Sequence, residues 1–218
     1  MTTSRRRSLA SRAGRLQTDV SRILEAANPA YSIPTEAPAL ILTIGLPGSG
    51  KSTFCRRLAP QIDAVVLESD AIRRQFFGAP TYSQAESRRL FSALHTAARE
   101  LLLHGRNVIV DATNLRESDR RPAYSVADET GSRLILLSFS APKNVIEQRL
   151  AKRVETPDAA DNSSAGLSVY HRMAERAEMP LREHFSVDTS SAASIEAALS
   201  RVVEACRPQA GRVTGGIL

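Results

Sequence analysis

One octapeptide constrains this chain more than any other feature in it. Gly45-Leu46-Pro47-Gly48-Ser49-Gly50-Lys51-Ser52 satisfies the spacing G-x-x-x-x-G-K-[ST], just after the apolar run Ala39 to Gly45 and just before the helix-like segment Lys51 to Leu58. Three glycines let the backbone turn its N–H groups inward without Cβ clashes. The helix beginning at Lys51 adds free amides and a positive dipole end aimed at the same anion. The pattern reads as a phosphate cradle formed by Gly45, Leu46, Pro47, Gly48, Ser49, Gly50, Lys51, Ser52 and Thr53. Lys51 is placed to reach the β- and γ-phosphates of a nucleotide, and the Ser52 hydroxyl to ligate Mg²⁺.

The chain around the loop alternates short β-type runs with longer helical ones. Strands are predicted at Ala39 to Gly45, Ala64 to Glu68, Asn107 to Asp111, Arg133 to Phe139 and Phe185 to Asp188. Helices are predicted at Lys51 to Leu58, Gln84 to His104, Glu117 to Glu129, Lys143 to Arg153, Ser168 to Glu178 and Ser194 to Cys206. Strand and helix in this rhythm predict an α/β fold, a parallel sheet of about five strands with helices on both faces. Ligands of such sheets bind at the carboxyl ends of the strands. The 218 residues suit one core, divided here into a basic extension (1–38), the α/β domain (39–206) and a flexible tail (207–218).

The first 38 residues hold six arginines against Asp19, Glu25 and Glu36, and Leu16, Val20, Ile23 and Leu24 fall at the spacing of a short amphipathic helix. An arginine-rich, acid-poor start resembles a transit peptide but lacks the apolar stretch of a secretory signal, so it reads as a mobile basic extension. No apolar run approaches the ~20 residues of a membrane helix. Cys55 and Cys206 have no C-x-x-C spacing and the four histidines form no ligand set, which argues against a disulfide framework or a structural zinc and for a reducing cytoplasm. A net charge of +6 fits a nucleic acid or another anionic partner, and a nucleotide-binding enzyme equally well.

The second strand runs into Ser69-Asp70-Ala71-Ile72-Arg73. A carboxylate at Asp70, on the ligand-binding edge, can accept the proton of an attacking hydroxyl, and Arg73 one turn on can neutralise phosphate charge. Either Ser69 or Asp70 also reads as an N-cap, and both readings hold together if Ser69 caps. Phe76-Phe77 reads as core or as the wall of an acceptor pocket.

Taken together, the Gly45 to Ser52 loop, Asp70 with Arg73, the strand-ending Asp111-Ala112-Thr113-Asn114 and the arginines of Gln148-Arg149-Leu150-Ala151-Lys152-Arg153 resemble a known group. They are similar to the P-loop kinases that include 5′-polynucleotide kinases and AAA-domain kinases, with zeta toxins and chloramphenicol phosphotransferase more distant. The resemblance covers roughly residues 39 to 190. It implies the P-loop NTPase fold with a helical lid, Asp70 as general base, and Arg73 near the acceptor or the transferring phosphate. It also implies that Asp111 is a Walker B carboxylate that holds Mg²⁺ through water or orients the acceptor. The plainer reading of Asp111 is a polar strand end. The resemblance places Arg149 and Arg153, four apart on one helix face, on a lid over the phosphates; a solvated basic face is the competing account. Arg116, Arg120, Arg121, Arg172 and Arg176 are candidates for the acceptor groove.

The expected activity is ATP- and Mg²⁺-dependent transfer of a γ-phosphoryl group to a hydroxyl-bearing substrate, with a polynucleotide 5′-OH among the candidates. A metabolite or antibiotic kinase and a nucleotide-hydrolysing switch are the alternatives. The lack of an N-K-x-D guanine-reading motif argues against a GTPase.

Overall fold

A computed structural model describes residues 2–28, 33–155 and 166–207, with side chains described from 12 and not for 153–155. The elements are α1 (Thr2–Ala27), β1 (Ala39–Ile44), α2 (Lys51–Leu58), β2 (Ala64–Glu68), α3 (Ser69–Phe77), α4 (Gln84–Leu103), β3 (Asn107–Asp111) and α5 (Glu117–Thr130). They continue with β4 (Arg133–Ser140), α6 (Lys143–Glu155), α7 (Leu167–Ala174), β5 (Phe185–Asp188) and α8 (Ala192–Cys206). The predicted parallel sheet is present, with five strands in the order β2-β3-β1-β4-β5.

The period of two in a strand explains how this sheet is covered. In β1, Leu40, Leu42 and Ile44 enter one core and Ala39 and Ile41 the other; in β3, Val108 and Val110 oppose Ile109. The first core is closed by α1, α4 and α5, and the second by α2 and α8. Strands apolar on both faces are what a doubly covered parallel sheet requires. β1 lies between β3 and β4; the chain leaves it for β2 on one side and crosses from β3 to β4 on the other, so the crevice beyond its carboxyl end is the switch point of the sheet.

The segment read as a mobile extension packs against the domain from Leu16 onward. Val20 and Ile23 of α1 are buried in the first core, with Leu16, Leu24 and Ala27 packed beside them. Each such burial is worth about 1.5–3 kcal/mol, which favours a docked helix over a free one. Asp19, 1% exposed, accepts two hydrogen bonds of 2.7 Å from Arg89 on α4. α7 ends at Ala174 and not at Glu178, because the Glu178 amide is committed to the Leu115 carbonyl (2.9 Å) and Pro180 follows. Residues 156–165, where the resemblance implies the loop of a lid, lie outside the described residues, as do 208–218 of the tail. No helix among the described residues is long and apolar enough to cross a membrane.

Candidate active site

The loop at the end of β1 is held in a shape that side chains at its turns would strain. Gly48 (φ 78°) and Gly50 (φ 87°) sit in the left-handed region. A Cβ at Gly48 would stand 3.0 Å from Ile146 and 3.1 Å from Leu150, and one at Gly50 would stand 3.1 Å from Thr189. Both glycines are therefore favoured by backbone angle and by space. Gly50 is the N-cap of α2, and no side chain caps this end of the helix.

Two further groups make the loop fit an anion. The Ser49 Oγ is fully buried with no hydrogen-bond partner, a state a phosphate oxygen would relieve. The buried Lys51 donates from Nζ to the Leu46 carbonyl, 2.9 Å away, within the loop that would hold the phosphates.

Asp111, at the tip of β3, is buried beside these groups. It accepts a hydrogen bond from the Ser52 hydroxyl, and the Thr43 hydroxyl lies 3.5 Å from its Oδ1. Burial pushes its carboxyl above the usual carboxylate range; the Lys51 ammonium and the two hydroxyls pull the other way without cancelling it. A hydroxyl and a carboxylate facing one point beside a phosphate cradle are the hard oxygen donors that Mg²⁺ takes. Ser52 and Asp111 offer two such oxygens and fit a cation whose other ligands are phosphate oxygens and water.

Asp70 lies in the first turn of α3, half-buried. The register pairs Glu68 of β2 with Asp111 of β3, so Asp70 stands two residues beyond the position opposite Asp111, at the same edge of the sheet. The N-cap position is Glu68, with no side-chain cap, so the capping expected of Ser69 is not observed. Arg73, 6% exposed, turns toward α4. It donates to Ser87 Oγ at 3.3 Å, lies 3.7 Å from Glu86 and stands over the Tyr82 ring at 4.9 Å, while its Nε and Nη1 make no hydrogen bonds. Desolvation works against ionised Glu86, yet hydrogen bonds from Thr81 and Tyr82 and the charge of Arg73 hold its carboxyl below the ordinary value.

Arg149 is found behind the loop. Its Nη1 donates to the Gly48 carbonyl (3.3 Å) and to Thr189 Oγ1 (2.9 Å), and its Nη2 to the Thr189 carbonyl (2.6 Å). The Arg153 side chain lies outside the described residues. Thr53 is exposed on the first turn of α2. Arg120, a candidate for the acceptor groove, is instead fully buried, bonded to the carbonyls of Asn114, Leu115, Glu178 and Met179 and to Glu117. It ties the turn after β3 to the segment after α7. Arg116, Arg121, Arg172 and Arg176 are exposed. Phe76 packs on the first core, with the Arg89 guanidinium over both Phe76 and Phe77.

The base of the loop is tied to the Asp111-Ala112-Thr113-Asn114 segment, partly through Thr43, which the sequence reading passed over. Thr43 Oγ1 donates to the Ala112 carbonyl (2.7 Å) and accepts from the Ala112 amide (3.1 Å); Asn114 Nδ2 donates to the Thr43 carbonyl (2.8 Å); the Gly45 amide donates to the Thr113 carbonyl (3.0 Å). A lone hydroxyl inside the apolar strand ALILTI was the available signal for Thr43. Thr189 carries no local signal at all.

A family model described as an AAA domain matches residues 40–180. The L-seryl-tRNA(Sec) kinase of Methanococcus maripaludis is 30% identical over 119 residues, 52% of this chain and 46% of that protein. The chain spans less than half the length of the curated relatives it matches. Among solved structures, Chaetomium thermophilum Kti12 in complex with ADP-AlF3 is similar with a TM-score of 0.63 at 20% identity, covering 78% of this chain and 100% of that one. The Mycobacterium tuberculosis APS kinase CysC in complex with AMPPNP and APS gives a TM-score of 0.57 at 20% identity, covering 79% and 98%.

Proposed function

Since the chain belongs to the AAA domain family, on a P-loop NTPase fold, we propose that it is an ATP-dependent phosphotransferase acting on a hydroxyl acceptor. The observation that carries this reading is the meeting of Lys51, Ser52 and Asp111 at one strand edge, with Asp70 two residues beyond the position opposite Asp111. The kinase named among the relatives, and the nucleotide complexes among the structural neighbours, support it.

The loop amides and Lys51 hold the β- and γ-phosphates and lower the cost of charge on the transferring group. Ser52 and Asp111 would hold Mg²⁺, which when bound would neutralise charge on the phosphate oxygens. Asp70 takes the proton of the acceptor hydroxyl as its oxygen attacks the γ-phosphorus in line, and ADP leaves with the β–γ bridging oxygen. The resemblance would add Arg73 and Arg153 to the charge around the transferring phosphate; in the ligand-free protein Arg73 is engaged by Ser87 and Glu86 of α4. Within the resembling kinases the acceptor ranges from a polynucleotide 5′-OH to small alcohols. Two free, buried cysteines suit a reducing, cytoplasmic setting.

The test is a screen of ADP release from Mg·ATP against 5′-OH oligonucleotides and a panel of small alcohols, with the phosphorylated product identified by mass. Release that depends on an acceptor, and that Lys51→Ala abolishes, supports the reading. Hydrolysis at one rate with and without every acceptor would make the protein a nucleotide-driven switch instead.

A further inference from the structure

The phosphate loop is shaped from behind by a residue far away in sequence. β5 is a four-residue edge strand, and the residue after it, Thr189, is 2% exposed. Its amide donates to the Ser140 carbonyl at the end of β4 (3.0 Å), so its position is set by the sheet. Its Oγ1 donates to the Ser49 carbonyl (2.9 Å) and accepts from Arg149 Nη1 (2.9 Å), while its own carbonyl accepts from Arg149 Nη2 (2.6 Å). Arg149 Nη1 also reaches the Gly48 carbonyl at 3.3 Å.

Two successive loop carbonyls, those of Gly48 and Ser49, are thus held outward by one threonine and one arginine. A trans peptide is planar, with its C=O and N–H pointing in opposite directions. Holding the Ser49 carbonyl against Thr189 therefore aims the Gly50 N–H into the cradle. The Ser49 N–H, fixed in the same way by Arg149 on Gly48, is spent on the Leu46 carbonyl (3.2 Å) and closes the turn. The Thr189 side chain also occupies the space that a Cβ on Gly50 would need, at 3.1 Å.

We propose that Thr189 is a positioning residue for the phosphate cradle, with Arg149 acting through it. The proposal rests on the reading of the Gly45 to Ser52 loop as a polyphosphate site. Its hydroxyl is the active element: it is the only part of Thr189 that touches both the Ser49 carbonyl and the Arg149 guanidinium by hydrogen bonds among the described residues. Without it a buried carbonyl and a guanidinium N–H lose their partner, and the Gly50 peptide is free to rotate.

The experiment measures the Kd of Mg·ADP and of tripolyphosphate with Mg²⁺ for the full chain and for Thr189→Val and Thr189→Ser, alongside the thermal midpoint of each ligand-free protein. Valine keeps the shape and removes the hydroxyl; serine keeps the hydroxyl. Thr189→Val is expected to weaken both ligands about tenfold, as unpairing a buried polar group does, with Thr189→Ser close to wild type. Equal Kd values for Thr189→Val and wild type would overturn the proposal. So would equal losses in Val and Ser, which would point to side-chain volume. Should Thr189→Val not fold, Arg149→Lys replaces it: a single ammonium cannot span the three acceptors, and the same loss is expected, while an unchanged Kd overturns the proposal. If wild type binds neither ligand, the reading of the loop itself fails, and this inference falls with it.

Discussion

The hydroxyl of Ser52 donates to the buried carboxylate of Asp111, joining the first turn of α2 to the tip of β3. Burial holds that carboxyl above its ordinary value, so the ligand-free protein keeps an acid in a place that favours its neutral form. An acid whose folded pKa is raised contributes stability that is complete below its unfolded pKa and is lost as pH rises through the folded one. Asp111→Asn is therefore expected to raise the ligand-free thermal midpoint at neutral pH, with the gap closing as pH falls into the carboxylate range. The same variant should lose Mg²⁺-dependent turnover. A lower midpoint at neutral pH, measured by calorimetry, would contradict the burial argument.

Asp70→Asn removes the proposed proton acceptor without changing the side-chain outline. The rate of transfer should drop by ~10²–10⁴ while the Kd of Mg·ADP stays near wild type. Single-turnover kinetics with the acceptor found in the screen provide the check. Full activity in this variant would remove Asp70 from the chemistry.

Arg89→Ala leaves Asp19 buried and uncompensated on α1. Breaking such a pair costs about 3 kcal/mol or more when both partners are buried, and somewhat less here because Arg89 is partly exposed. Urea denaturation should show the loss, and amide exchange along Leu16 to Ala27 should accelerate, since α1 depends on this contact and on Val20 and Ile23. If exchange in α1 is unchanged, apolar packing alone holds the helix.

His95, stacked on Phe91 at 6.0 Å, has an Nε2 with no partner, and desolvation pushes the ring down to about 4 from an ordinary 6.5. A base with a depressed folded pKa contributes stability that is present above its unfolded pKa and is lost as pH falls through the folded one. Wild-type stability should thus decline between those two values, and His95→Leu should decline less over the same window. Midpoints in a pH series test this, and parallel slopes would show that the imidazole is not responsible.

The glycine spacing, the alternation of apolar strands with helices, and the carboxylates at strand ends were readable because each depends on neighbours in the chain: 3.6- and 2-residue periods, free helix amides, a left-handed turn that needs glycine. The loop, the five strands and the place of Asp111 follow from those local rules. Where an arginine points does not. Arg120 and Arg149 look like surface cations in sequence, yet one is buried on four carbonyls and the other grips the back of the loop. Asp19 meets Arg89 across 70 residues and Thr189 meets Ser49 across 140, and neither pair leaves a periodic trace. Such contacts form only once the sheet order has brought distant segments together. The sequence therefore announces a glycine-rich loop between strand and helix, and the packed sheet decides which distant side chains lie against it.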